Sequence, residues 1–123
     1  KKVINIEKTN ARYLDRNIIN EYIDLIVCDA SFISIKKVLK TSLNLLKKNG
    51  KVIALIKPQF EANKKEIKKG GVVKDSLVHQ RICNEITLWF ENVCYLQVKG
   101  ITESPIKGPK GNTEFFIFAK KIK

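Results

Sequence analysis

Two short apolar runs without alternation decide most of what this chain can become. Leu25-Ile26-Val27-Cys28, bracketed by Asp24 and Asp29, and Val52-Ile53-Ala54-Leu55-Ile56 are too short for core helices. They are also too continuous for strands with one wet face, and they predict strands buried on both faces, as in a parallel sheet. Between them, Ile35, Val38, Leu39, Leu43 and Leu46 fall at helical spacing, and Asn49-Gly50 supplies a left-handed stop. Pro58 ends the second strand because proline cannot extend a ladder.

The flanking segments complete an alternating pattern. Val3 to Ile6 reads as a short strand, and Thr9 and Asn10 can cap a brief helix reaching Asn17 to Tyr22. Glu61 to Lys74, rich in lysine and containing Gly70-Gly71, reads as a mobile surface loop. Asp75 or Ser76 then caps a helix with an apolar face of Val78, Ile82, Ile86 and Trp89/Phe90. Val93–Val98 and Phe115–Ala119 are the last two strands, joined by a turn-rich segment without a helix. This is an α/β pattern: a mostly parallel sheet with an antiparallel last strand.

With 24 Lys and Arg against 12 Asp and Glu, the net charge of +12 on 123 residues favours a polyanionic partner, nucleic acid before an anionic membrane. A lysine-rich composition also serves solubility. No apolar run approaches the ~20 residues of a spanning helix. Cys28, Cys83 and Cys94 form no close pair and no Cys/His cluster, so no metal site is expected and the thiols fit a reduced, cytoplasmic protein.

In open parallel sheets, ligands bind beyond the carboxyl ends of the strands. Asp29 and Lys57 each lie one residue past a predicted strand, and Glu114 starts a strand expected to run the other way. Three ionisable residues from distant parts of the chain should therefore meet on one rim.

These residues sit in blocks that resemble a known family. Asp-Ala-Ser-Phe-Ile-Ser (29–34), Ile-Lys-Pro-Gln-Phe-Glu (56–61), Gly-Gly-Val-Val-Lys-Asp (70–75) and Ser-Pro-Ile-Lys-Gly-Pro-Lys-Gly-Asn-Thr-Glu-Phe (104–115) resemble the hemolysin-A (TlyA) family. That family comprises FtsJ-like, S-adenosylmethionine-dependent ribose 2′-O-methyltransferases of ribosomal RNA. The resemblance implies a Rossmann-like methyltransferase fold and a Lys-Asp-Lys-Glu tetrad. Asp29, Lys57 and Glu114 match its last three members, and its first lysine is expected upstream. It also implies a Gly-rich cofactor loop and a small N-terminal RNA-binding domain, neither of which matches residues here. The chain is accordingly expected to be the C-terminal part of a single methyltransferase domain, residues 1–123, lacking the first two strands, inactive by itself and unable to bind S-adenosylmethionine.

Within that resemblance, Lys57 is the candidate base, Asp29 orients it and faces the positively charged cofactor, and Glu114 positions Lys57 or the ribose. Asn10, with Arg12, is a candidate contact to the cofactor's adenosine or to RNA. Lys64, Lys65, Lys68, Lys69, Lys107 and Lys110 border the rim and are candidate phosphate contacts. Each has a plainer alternative: Asp29 as a turn cap, Lys57 as a solvated strand end, Glu114 as an edge-strand partner of a lysine, Asn10 as a helix cap. His79 is expected to be structural or solvated. The aromatics are expected in the core, with Phe60 beside Lys57 the one candidate base-stacking platform. Two other functions compete with the enzyme: an RNA-binding module without turnover and, as the word hemolysin suggests, a membrane-active protein. The uncovered edge of Leu25–Cys28 is expected to be filled by Val3–Ile6 or by a second copy in a homodimer.

Overall fold

The computed structural model describes residues 5–122. Four strands form one sheet: β1 (Ile23–Cys28), β2 (Leu46–Ile56), β3 (Leu96–Glu103) and β4 (Phe115–Lys121). The spatial order is β1-β2-β4-β3, with β1 and β2 parallel and β4 antiparallel to both β2 and β3. Three strands thus point one way and the last strand is reversed, as the sequence predicts.

Helices α1 (Ile35–Ser42), α2 (Pro58–Glu61) and α3 (Ser76–Asn92) connect them. Each longer helix starts on a side-chain cap: Ser34 accepts from Lys36 N and Asp75 from Leu77 N. Val38 and Leu39 of α1 and Ile82, Ile86 and Phe90 of α3 bury against Val52, Ala54, Ile56, Ile117 and Ala119 in one core. His79 is structural and not solvated. It is buried, its Nε2 lies 2.8 Å from Val73 O, and its ring meets the edge of Phe115.

Several expectations need correction. The strands are not buried on both faces. Val52, Ala54 and Ile56 are covered by the helices, but Val27 and Leu25, on the opposite face of β1, are 68% and 48% exposed. The helices pack on the face of Val52, Ala54 and Ile56, while the other face carries Leu25, Val27, Phe116 and Phe118, all partly exposed, with Ser104 and Ile106 beside it. The helix ending at Asn49-Gly50 is also shorter than predicted. It stops at Ser42, runs through a 3-10 turn (Leu43–Leu45), and gives way to β2 at Leu46. Residues 47–50 bulge out opposite Asp24 alone, since Ile23 pairs with Leu46 and Leu25 with Lys51. The left-handed residue there is Asn49 (φ 68°). Gly50 is needed for closeness instead: a Cβ on it would lie 2.7 Å from Leu46 Cδ1 and from Lys47 O.

No helix forms over 17–22. Asn10 Oδ1 accepts from Arg12 N and Asp15 Oδ1 from Asn17 N, so local side-chain bonds hold a 3-10 turn (Ala11–Tyr13) and a tight turn in its place. Of the strand expected over Val3–Ile6, Val3 and Ile4 lie outside the described residues, and Asn5 and Ile6 join no strand. The last helix uses Val93 to finish, and Tyr95 (φ 57°) turns the chain, so β3 begins at Leu96 instead of Val93.

The segment from Glu61 to Lys74 is not irregular. It holds a 3-10 turn (Lys64–Glu66), an antiparallel bridge between Lys68 and Val72, and an Arg81–Glu66 ion pair at 2.7 Å. Val73 is buried, with its N–H donated to Asn112 Oδ1 at 3.0 Å.

Candidate active site

Strand direction brings the candidate residues together. β1 and β2 run parallel, so Asp29 and Lys57 leave the sheet at the same edge. β4 enters at that edge, with Ile56 paired to Phe115, so Glu114 arrives beside Lys57. All three line a cleft of about 440 Å³, together with Ser31, Gln59 and Lys110.

Lys57 is buried, which removes the reading of a solvated strand end. Its Nζ lies 2.5 Å from Asp29 Oδ1 and donates to Ser31 Oγ at 3.2 Å. Asp29 itself is exposed and borders two further cavities. One of them, about 400 Å³, lies between β1, α1 and the segment carrying Ala11, Leu14 and Ile19, and its lining is mainly apolar. Asn10 adjoins that wall, but its side-chain oxygen is used as the cap of the 3-10 turn. Burial, and next the neighbouring Asp29, push the Cys28 thiol up from its ordinary value, so it belongs to the core.

Glu114 is buried and forms no ion pair with Lys57 among the described residues. Nor does a lysine across the strand hold it: its Oε2 accepts from Gln59 Nε2 at 2.8 Å. Its backbone oxygen accepts from Ser104 N at 2.8 Å, which ties the turn before β4 to the end of β3.

Sequence reasoning gives no role to Ser31, Gln59 or Glu61, and it places Phe32 in the core, where the structure instead leaves it exposed. Glu61 accepts from Ser34 Oγ (2.6 Å) and Ile35 N (2.8 Å), joining the segment after Lys57 to the one after Asp29. Burial holds its carboxyl above the usual carboxylate range, although both hydrogen bonds oppose this. Phe32 is 88% exposed at the cleft, has φ 68°, and lies 5.2 Å from the Phe60 ring, centroid to centroid. A bulky residue in the left-handed region is uncommon and marks a constrained site. That positive φ cannot be read from a sequence, but the Ser-Phe-Ile triplet just past a buried strand is a usable signal.

The lysines divide into two groups. Lys110 (φ 58°) lines the cleft and stands against Gly70, where a Cβ would lie 3.7 Å from its Nζ. Asn112 stitches these two walls together through Gly71 O and Pro109 O. Lys64, Lys65, Lys68 and Lys69 lie on the same lobe. Lys107 is engaged by Glu103 at 3.4 Å and by Thr113 Oγ1 at 3.0 Å.

A family model described as FtsJ-like methyltransferase matches residues 1–121. The chain belongs to the FtsJ-like methyltransferase family. FtsJ-like relatives include the 16S/23S rRNA (cytidine-2′-O)-methyltransferase TlyA of Mycobacterium tuberculosis, 34% identical over 119 residues, or 97% of this chain and 44% of that protein. Hemolysin A of Brachyspira hyodysenteriae is 36% identical over 115 residues, or 93% of this chain and 48% of its own length. A Lactococcus lactis chain solved under the name hemolysin superposes with a TM-score of 0.89 at 36% identity, covering 98% of this chain and 58% of that one. The chain thus spans under half the length of the curated FtsJ-like relatives it matches. The N-methyltransferase NodS of Bradyrhizobium japonicum shares the fold at 12% identity, with a TM-score of 0.52 over 94% of this chain and 58% of that one.

Proposed function

We propose that this chain carries the proton-handling part of an S-adenosylmethionine-dependent rRNA ribose 2′-O-methyltransferase. The observation that carries the reading is the buried Lys57 Nζ, held by Asp29 and Ser31 in the cleft that also contains Glu114. Relatives named for cytidine-2′-O methylation make a cytidine of ribosomal RNA the nucleotide to seek.

A ribose hydroxyl attacks poorly unless its proton leaves as the new O–C bond forms. Lys57 takes that proton, and it does so only as the neutral amine. Asp29 fixes the amine's direction and Glu114 positions Lys57 or the ribose. S-adenosylmethionine supplies a methyl group on a sulfonium, which departs as a neutral thioether. The residues suit such a group: Asp29 offers an exposed carboxylate to the cation beside a mainly apolar cavity.

Phe32 and Phe60 present aromatic surface at the mouth of the cleft, and the lysines of the 64–69 lobe, with Lys110, give the salt-sensitive phosphate contacts. Such an enzyme works in the cytoplasm, where ribosomal RNA is. No helix among the described residues is long and apolar enough to cross a membrane. The test is methyl transfer by the full-length protein to ribosomal RNA, with the product mapped. A 2′-O-methyl group appearing with wild type and not with Lys57→Ala is expected. RNA binding without transfer would leave the binding-module reading in its place.

A further inference from the structure

Gln59 stands two residues past Lys57, in α2, and is only 8% exposed. Its Nε2 donates to Glu114 Oε2 at 2.8 Å, while its Oε1 is buried with no hydrogen-bond partner among the described residues. Leaving a buried amide oxygen without a donor is unfavourable. Turning the amide over would be worse, because it would set two oxygens against each other. The side chain is therefore held by its contact with the carboxylate and not by its own satisfaction.

Gly108 closes the other side of the same oxygen. A Cβ on Gly108 would lie 2.1 Å from Glu114 Oε2, and its φ of −78° is open to any residue, so the glycine is there for space. Oε2 is thus enclosed between an amide donor and a bare Cα. Oε1 of Glu114 has no hydrogen-bond partner among the described residues, in a side chain that lines the cleft.

We propose that Gln59 is a positioning residue for methyl transfer: it occupies Oε2 of Glu114 so that Oε1 alone is left facing the cleft to position Lys57 or the ribose. The proposal rests on the reading above. It gives Glu114 a single competent orientation, and it makes Gln59 act only through Glu114.

The test is a double-mutant cycle in the full-length protein. Gln59→Met keeps the volume and removes both the donor and the orphaned oxygen. It should lower kcat by about tenfold or more while KM for RNA and for S-adenosylmethionine stays within about threefold. In a Glu114→Gln background, Gln59→Met should cost nothing further, because the carboxylate it positions is already gone. Gln59→Glu, which keeps the shape without the donor, should repeat the kcat loss if the methionine variant does not fold. Additive losses, or kcat within about twofold of wild type in either variant, overturn the proposal. If wild type transfers no methyl group, it is the functional reading that falls. The same cycle is then read in melting temperature, where non-additivity is expected and additivity overturns the pairing.

Discussion

Lys57 and Asp29 form an ion pair in which the two partners live in different media. Their side chains are 11% and 66% exposed, with 2.5 Å between Nζ and Oδ1. Removing the buried partner deletes the candidate base, whereas removing the wet one leaves a buried cation with only Ser31 as a partner. The two substitutions should therefore fail differently.

Lys57→Ala in the full-length protein should lower methyl transfer by about 10²–10⁴-fold, with S-adenosylmethionine affinity within a few-fold. Calorimetry and single-turnover transfer together check this. Comparable turnover would remove Lys57 from the mechanism.

Asp29→Asn should lower the melting temperature as well as the rate, since a buried ammonium without its carboxylate is costly. A thermal scan beside the transfer assay reads both. A rate loss at unchanged stability would mean that Asp29 serves the cofactor alone.

Gly108 and Gly111 make a matched pair. Gly111 has φ 82°, so Gly111→Ala should cost about 1–2 kcal/mol of stability and leave kcat near wild type. Gly108→Ala must move Glu114, against whose carboxylate the new methyl would fall, and should lower kcat beyond any stability change. Denaturant unfolding and kcat, measured on both variants, decide the matter.

Glu61 gives a pH test. Burial raises its folded-state pKa above the unfolded value of 4.5, so the folded chain holds the extra proton in the window upward from 4.5. The associated stabilisation is complete below 4.5 and fades as pH rises through the folded value. The melting-temperature advantage of wild type over Glu61→Gln should accordingly shrink as pH rises across that window. A difference that does not change with pH would show that the carboxyl titrates alike in both states.

Reversing Lys64, Lys65, Lys68 and Lys69 to Glu should weaken rRNA binding and flatten its dependence on salt, by roughly 0.7–0.9 in slope for each phosphate no longer neutralised. A filter-binding series in potassium chloride measures this. An unchanged slope would put the RNA elsewhere.

The rim was legible because strand ends are legible: Asp29, Lys57 and Glu114 each flank an apolar run, and topology did the rest. Gln59 and Ser31 were not, since one reads as a residue of a short polar turn and the other as a loop hydroxyl until their partners, 55 and 26 positions away, are in place. The helix-covered face was hidden for a related reason. Leu25 and Val27 are as apolar as Ile26 and Cys28, so composition does not separate the covered side from the open one. Asn49-Gly50 misled because its glycine answers to the crowding of Leu46 and Lys47 within the bulge of β2, and not to the end of a helix.

The place of β4 has a consequence for how the chain is made. Of the four strands, the one that leaves the ribosome last lies in the middle of the sheet, between β2 and β3, so those two have no neighbour in common until it arrives. Until then the nascent chain keeps two unzipped edges and a half-built rim, and Glu114 enters with the strand that seals them. Completion of the sheet and arrival of Glu114 at the rim are therefore one event.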